Sequence, residues 1–201
     1  ARAGMPIVTK LSAQKRAGYY NIFVDDEFWC GLTDLQVVTL GLHKGTEISE
    51  VEADKLKELS SSTKAYHAAI RFLSYRMRSQ QEIEQYLKKK NHEEHIEEVV
   101  ARLQAEKYID DEDFARRWVA MRQLEGKSPR VIGIELAQKG IDRDTVSLAL
   151  EEYEEEDRLE SLRHALKKLR AAGKPLEKVI QSLQRKGWSY GQIKTILEEE
   201  D

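Results

Sequence analysis

The chain has 201 residues, enough for one or two domains that each bury a core. It is 40% hydrophobic, 7% aromatic and 34% charged, which is typical of a protein rich in exposed helices and too apolar for a disordered chain. The single cysteine, Cys30, excludes an internal disulfide framework and favours a reducing, cytoplasmic location. No apolar run reaches the ~18 residues of a membrane helix, and no charged-then-apolar leader is visible, so no membrane association is expected. Met5-Pro6 has the form of a natural start, which would make Ala1–Gly4 additional residues.

The charge of the chain is unevenly distributed. The net charge is −3, which by itself does not favour nucleic acid. Between Arg158 and Lys194, however, ten Lys or Arg residues stand against Glu160 and Glu177, a local net charge of +8. A basic surface is therefore predicted despite the acidic total.

The first elements in chain order are predicted strands, which begin a small α+β domain over residues 7–62. The segments IVTKLSAQK, YYNIFV and EFWCGL read as strands separated by turns, and they predict a β-hairpin or a three-strand meander. In the first strand the alternation of Ile7, Thr9, Leu11 and Ala13 predicts one half-buried face.

Short helices are predicted to complete this domain. Asp34 is expected to cap a helix that runs to Leu40. Ser49 and Glu52 form a capping box for a second helix that ends near Leu59. The segment SSST, residues 60–63, is predicted to be a hinge.

From Tyr66 onward every periodic segment is helical, and one pattern occurs three times. The segments are RSQQEIEQYLKKKN (78–91), KSPRVIGIELAQKG (127–140) and KPLEKVIQSLQRKG (174–187). Each has a capping start, an apolar i, i+4 pair, a lysine in its last turn and a Gly or Asn stop. The apolar pairs are Ile83 with Leu87, Ile132 with Leu136 and Val179 with Leu183, the lysines are Lys90, Lys139 and Lys186, and the stops are Asn91, Gly140 and Gly187.

The repetition predicts a mainly α protein with three tandem three-helix, helix-turn-helix-like repeats, at residues 65–108, 109–156 and 157–199. The middle segment carries Val131 and Ile134 away from its core face, as a helix with neighbours on two sides would. The repeats are therefore expected to stack in an elongated, curved array.

No active site, cofactor site or metal site is predicted. His92 and His95 have metal-ligand spacing, but they lie in a Glu-rich segment without a third soft ligand and are interpreted as exposed helix-start residues. The acidic run that begins at Asp110 is interpreted as a helix cap. Cys30 is expected to be buried and inert. Trp29 and Trp118 are assigned to cores, and Trp188, after the Gly187 stop, to a staple on the third repeat.

Basic side chains are the stronger functional signal. Arg163, Lys167, Arg170 and Lys174 are spaced as one helical stripe, and Arg71, Tyr75 and Arg78 as a shorter one. Such stripes suit a phosphate backbone or an acidic protein groove, although residues that snorkel beside a core seam show the same spacing. The inferred binding residues are Arg71, Arg76, Arg78, Lys88, Lys89, Arg116, Arg117, Arg122, Lys127, Arg130, Arg163, Lys167, Arg170 and Lys174.

The sequence resembles the RecX family of bacterial RecA regulators over residues 7–199. The most specific part is residues 97–141, EEVVARLQAEKYIDDEDFARRWVAMRQLEGKSPRVIGIELAQKGI. It contains the acidic D-D-x-x-F-A cap and helix, and the K-x-P-x-x-I-x-x-E-L-x-x-K-G-I helix and stop. RFLSYRMRSQQEIEQYL and KGWSYGQIKTIL fit the flanking repeats, and the first strands resemble those of longer RecX proteins.

The resemblance implies a non-catalytic modulator, active in DNA repair and the SOS response. RecX-like proteins bind RecA filaments on single-stranded DNA, usually block or disassemble them, and so lower strand exchange and co-protease activity. The expected partners are RecA and the RecA–single-stranded DNA filament, with weak DNA binding by the chain alone, and a monomer is expected. Two alternatives stay open: a stand-alone helix-turn-helix DNA-binding protein, and an adaptor that binds only protein.

Overall fold

The structure is a computed structural model that describes residues 5–153 and 155–200, so Ala1–Gly4 lie outside the described residues. A three-strand sheet comes first and helices follow. The strands are β1 (Val8–Ala13), β2 (Tyr19–Val24) and β3 (Glu27–Thr33). The helices are α1 (Asp34–Thr39), α2 (Glu50–Leu73), α3 (Gln80–Lys89), α4 (Ile96–Ala105), α5 (Asp111–Leu124), α6 (Pro129–Gln138), α7 (Arg143–Glu151), α8 (Glu155–Ala171), α9 (Leu176–Arg185) and α10 (Tyr190–Glu200), with a 3-10 turn at Glu93–His95 before α4.

The predicted meander is confirmed, because β1, β2 and β3 form an antiparallel sheet in chain order. The predicted inward face of β1 is wrong at its start. Val8 is fully buried and Ile7 is 38% exposed, since the register shifts between Val8 and Lys10 and interrupts the alternation. Further along the strand Leu11 packs against the core, whereas Ala13 is exposed.

The sheet packs against α2, and their apolar side chains form one core that includes Ile22, Leu32 and Leu56. Cys30 is buried there, as predicted, and burial raises the pKa of its thiol to about 11. Trp29 is half-buried against the same core, and its Nε1 donates a hydrogen bond to the carbonyl of Ala53 at 2.7 Å.

The start of α1 differs from the prediction by one residue. Thr33, rather than Asp34, is the N-cap: its Oγ1 accepts from the amide of Gln36 at 3.2 Å, and the Gln36 side chain accepts from the amide of Thr33 at 2.8 Å. This reciprocal pair satisfies two backbone donors, and the Asp34 side chain cannot reproduce it one position later.

The capping box of Ser49 and Glu52 is confirmed at the start of α2, but the predicted hinge at residues 60–63 is wrong. The helix continues without a break to Leu73, because two of the serines are buried and have partners. Ser60 Oγ accepts from the amide of Gly31 at 3.3 Å, and Ser62 Oγ donates to Glu98 at 2.7 Å. Tertiary contacts therefore override the weak helix preference of serine.

By internal contacts the chain divides into two compact units. The first unit comprises the residues up to Tyr75 together with Tyr86–Arg102, and the second comprises Arg76–Gln85 together with the residues from Leu103 onward. The division runs through α3 and α4, and the residue limits of the four predicted segments stay predictions.

The middle and third repeats lie in the second unit, and each closes around its own core. Helices α5, α6 and α7 pack around Phe114, Ile132 and Leu136, and α8, α9 and α10 pack around another cluster. All three predicted i, i+4 pairs are fully buried. The sequence pattern places Met121 in an apolar stripe and Ile134 on a second buried face, but they are 43% and 49% exposed. Neither core reaches the sides of α5 and α6 that carry them.

The predicted stops are confirmed by the backbone. Asn91, Gly140 and Gly187 have φ of 59°, 79° and 93°, in the left-handed region that ends a helix and that Gly or Asn adopts with least strain. The three lysines before these stops are predicted to lie in the last turn of each helix, and the structure places them just after it. Lys90 follows α3, and Lys139 and Lys186 are the C-caps of α6 and α9.

The repeated start and stop residues also contact one another, within the second unit, in a way that the sequence pattern does not predict. Ser79, before α3, donates through Oγ to the carbonyl of Lys139 at 2.7 Å. One repeat later, the amide of Ser128, before α6, donates to the carbonyl of Lys186 at 2.9 Å. We call this contact, from the capping serine of one second helix to the C-cap lysine carbonyl of the next, the serine–stop joint.

The second joint is reinforced by neighbouring side chains. Trp188 is 3% exposed, and its Nε1 donates to the carbonyl of Gly126 at 2.8 Å, so it links α9 to the middle repeat as well as packing in the third. Ser161 Oγ donates to the carbonyl of Gln123 at 2.7 Å. A Cβ at Gly187 would overlap the side chains of Ser128 and Val131, which shows how closely the stop abuts the neighbouring cap.

The middle repeat also contains a charged network around Glu135 on α6. Trp118 Nε1 and Arg122 Nε donate to the Glu135 carboxylate at 3.0 and 2.8 Å, and Lys127 Nζ is its third partner. Partial burial raises the pKa of the Glu135 carboxyl. The hydrogen bonds from Lys127 and Trp118 and the charges of Lys127 and Arg122 lower this pKa, and together they outweigh the effect of burial, so the net pKa shift is downward.

We expect Gly187→Ala to destabilise the third repeat by about 2–4 kcal/mol, because the methyl group adds overlap at the joint to left-handed strain. The matched control is Gly173→Ala, whose φ is 69° and whose Cβ would meet nothing within 4 Å. The control should lose only ~1 kcal/mol, from strain alone. Urea unfolding followed by tryptophan fluorescence measures both, and equal losses in the two variants would refute a close approach at Gly187.

We expect Glu135→Gln to lower the free energy of unfolding at pH 7 by about 1–3 kcal/mol, because three donors lose a charged acceptor. The folded pKa of Glu135 is lowered, so its stabilisation is complete above the ordinary carboxyl pKa of ~4.3 and is lost as the pH falls through the lowered value. The difference between wild type and variant should therefore shrink below pH ~4.

Glu151→Gln, an exposed substitution in the same repeat, is the control. It should change the free energy of unfolding little, both at pH 7 and below pH ~4. Urea titrations at both pH values, read by tryptophan fluorescence, test this. A difference between wild type and Glu135→Gln that is independent of pH would contradict the network.

Candidate functional site

The residues considered for metal binding are used structurally. His95 is 7% exposed, so its interpretation as an exposed residue is wrong; it lies in the 3-10 turn that contacts α2. Asp110 is confirmed as a helix cap, since its carboxylate accepts from the amide of Asp113 at 2.9 Å. Over residues 5–153 and 155–200, no three His, Cys, Asp or Glu side chains are grouped as metal ligands would be, and no helix has the length and apolarity to cross a bilayer.

The basic residues of the middle repeat are largely held in ion pairs. Arg116 lies 3.9 Å from Glu112, and Arg117 lies 2.8 Å from Asp113. Arg122 and Lys127 are partners of Glu135 and are both less than a quarter exposed. Arg130 is exposed and forms no ion pair within the described part of the chain. Arg130 is therefore the most available cation of this set.

The stripe predicted on the third repeat is shorter than expected. Lys167 and Arg170 are exposed on α8, and Arg163 is paired with Glu199 at 2.7 Å. Lys174 does not belong to the stripe, because α8 ends at Ala171 and the chain turns at Gly173.

The stripe predicted around Tyr75 does not exist as a helical face, because α2 ends at Leu73. Arg71 is exposed in the last turn of α2, whereas Arg76 and Arg78 follow the helix and approach Glu82 at 2.6 and 3.9 Å. Lys88 and Lys89 are exposed at the end of α3, as predicted.

The first compact unit contains a groove that the sequence pattern does not predict. Its volume is about 390 Å³, and its walls come from the β1–β2 turn, β2, β3, α2, the second half of α3 and the loop after it. The lining residues are Gln14, Arg16, Tyr19, Gly31, Thr63, Lys64, His67, Ala68, Arg71, Tyr86, Lys90 and His92. We call this cavity the basic groove.

The electrostatics of the basic groove follow from its lining. Arg16, Lys64, Arg71 and Lys90 supply positive charge, and none of the described lining residues is acidic. His67 lies among these cations; burial, followed by the charges of Arg16, Arg102 and Arg71, lowers the pKa of its ring. The groove thus concentrates positive charge, with no carboxylate among its described lining residues.

One signal for the basic groove is present in the sequence. Lys64, His67 and Arg71 are spaced i, i+3 and i+7, as residues on one helical face are. The predicted break between Leu59 and Tyr66 hides this face, because it leaves Lys64 outside the helix that carries His67 and Arg71. Arg16 and Tyr19 reach the groove through sheet packing, for which the sequence carries no local signal.

Family models match three segments of the chain. Residues 6–49 match the regulatory protein RecX N-terminal domain, residues 65–103 the first three-helix domain of RecX, and residues 110–150 the second. The matches cover the sheet with α1 and most of the helices of the first two repeats.

Whole-chain relatives agree with these matches. The chain is 36% identical to regulatory protein RecX of Bacillus subtilis (strain 168), covering 97% of this chain and 77% of the relative, and 37% identical to that of Bacillus licheniformis, covering 98% and 78%. A crystal structure of regulatory protein RecX superposes with a TM-score of 0.74 at 30% identity, covering 96% of this chain and all of that one. RecX from Lactobacillus salivarius gives a TM-score of 0.58 at 33% identity, over 69% of this chain and 96% of that one. The chain therefore belongs to the RecX family of regulatory proteins.

Proposed function

We propose that this protein is a non-catalytic regulator that binds the RecA recombinase, or its filament on single-stranded DNA, and lowers its recombinase and co-protease activities. The observation that carries the proposal is the family membership over nearly the whole chain. The compartment we propose is the cytoplasm, where RecA acts, and the regulator is proposed to act as a monomer.

The charge distribution supports a filament as partner. Each predicted repeat has exposed cations: Lys88 and Lys89 in the first, Arg130 in the second and Lys167 in the third. Exposed cations of this kind bind phosphates or carboxylates and release counterions, so each contact is weak and the sum is salt-sensitive. A polymeric partner offers the repeated acceptors that such a dispersed set needs.

The direct test measures RecA-driven strand exchange and single-stranded-DNA-dependent ATP hydrolysis with increasing amounts of the whole chain. Both rates should fall as the protein is added, because a bound regulator interrupts the filament. Glu151→Gln, an exposed substitution outside the inferred binding residues, should act like wild type. Unchanged strand exchange and ATP hydrolysis at an excess of the protein would refute the proposal.

A second test distinguishes two alternatives. A filament regulator would use the basic stripe on α8, whereas an adaptor that binds only protein would not. Lys167→Glu with Arg170→Glu should weaken binding to the RecA–DNA filament by roughly tenfold, ~1.4 kcal/mol. The matched control is Arg143→Glu with Lys178→Glu, which makes the same charge change at exposed positions. Equal affinity of the two double variants would contradict a role for the α8 cations.

The same binding assays address the stand-alone DNA-binding alternative. A helix-turn-helix reader should prefer particular duplex sequences without RecA. We expect instead weak binding that falls with salt and is the same for unrelated duplexes. A clear sequence preference would favour the alternative.

A further inference from the structure

The basic groove lies entirely in the first compact unit, whereas the stripe on α8 belongs to the second. Lys64, His67 and Arg71 line one wall from a single face of α2, Arg16 lies in the β1–β2 turn, and Lys90 follows α3. Four cations from three separate parts of the chain thus border one small cavity. Like charges repel, so a negative group in the cavity would be attracted by all four cations and would relieve their repulsion.

The walls of the basic groove are held in place by aromatic contacts. The Tyr19 hydroxyl lies 2.5 Å from His67 Nε2, and the Arg16 guanidinium lies 4.5 Å from the centre of the Tyr19 ring. On the other side, Tyr86 stacks on Phe72 with ring centres 4.0 Å apart and an interplanar angle of 5°. The groove is therefore preorganised, which reduces the entropy cost when a ligand binds.

We infer that the basic groove binds the phosphate groups of a single nucleic-acid strand. Arginine is suited to bidentate hydrogen bonding with phosphate oxygens, and lysine adds a point charge. The inference rests on the proposed function only in that a filament assembled on single-stranded DNA would present such a strand. A free nucleotide shares the phosphate chemistry and is the second source that the experiment has to distinguish.

The lining favours phosphate over an acidic peptide. Protein interfaces gain their affinity from apolar and aromatic anchors in a desolvated centre. Among the described residues that line the groove, Ala68 is the largest aliphatic side chain, and the rings of Tyr19 and Tyr86 are already in contact with His67 and Phe72. Four cations and several hydrogen-bonding groups share the lining with these two rings, a combination found in sites that hold a phosphate backbone beside stacked bases.

The test compares two double variants of the whole chain in binding a fluorescently labelled oligo-dT strand, without RecA. Lys64→Gln with Arg71→Gln removes two groove cations that are exposed and have no ion pair in the described chain. Lys44→Gln with Lys55→Gln removes two exposed cations of the same unit that do not line the groove. Circular dichroism checks that both variants are folded.

We expect the groove variant to bind at least about tenfold more weakly than wild type, and the control variant to bind like wild type. The slope of log affinity against log salt concentration should decrease by about 0.7 for each phosphate that the variant no longer neutralises. Equal binding by wild type and both variants, or an equal weakening in both variants, would overturn the inference. Binding of an unphosphorylated acidic peptide, with the same dependence on Lys64 and Arg71 and no binding of oligo-dT, would also overturn it.

The two phosphate sources are separated by competition. ATP at the same phosphate concentration as the strand should displace little oligo-dT if several linked phosphates bind the groove together. Full displacement of oligo-dT by ATP would overturn the inference that the groove binds a strand and would assign the groove to a free nucleotide. None of these binding measurements contains RecA. A failure of the groove to bind the strand is therefore distinguishable from a failure of the proposed regulatory function, which is measured as the effect of the wild-type protein on RecA activity.

Discussion

The serine–stop joint is the contact on which the arrangement of the repeats in the second unit depends. A capping serine has a buried polar side chain or amide that must be satisfied, and a helix stop exposes carbonyls that have no partner within the helix. Placing Ser79 against Lys139, and Ser128 against Lys186, satisfies both needs with one hydrogen bond. The joint also explains why the stop at position 187 is a glycine, since a side chain at Gly187 would occupy the space of the neighbouring cap.

The same packing determines which charges are available for binding. In the middle repeat, Glu135 holds Arg122 and Lys127 beside Trp118, so these cations stabilise α5 against α6. Other cations, including Arg130 and Lys167, are exposed. The basic groove differs from the Glu135 network. Packing of α2 on the sheet brings its cations together, and no carboxylate is found among its described lining residues. Net charge alone would have hidden both features.

Local rules predict much of the fold, and non-local contacts account for the errors. The strands, the Ser49 capping box, the buried i, i+4 pairs and the left-handed stops depend on residues close in sequence. The predicted hinge at residues 60–63 is wrong because Ser60 and Ser62 find partners on β3 and α4. The same error hides the face of α2 that lines the basic groove. The predicted break separates Lys64 from His67 and Arg71, although Arg71 itself is among the inferred binding residues.

Amide hydrogen exchange of Ser128 measures whether the serine–stop joint is a persistent tertiary contact in solution. An amide at a helix N-cap has no partner within its own helix and would exchange freely if it were exposed to solvent. Because the Ser128 amide donates to the Lys186 carbonyl, its exchange should be as slow as that of amides in the centre of α9, near Leu183. Exchange at the rate of an unprotected amide, with α9 still protected, would mean that the serine–stop joint does not hold the two repeats together.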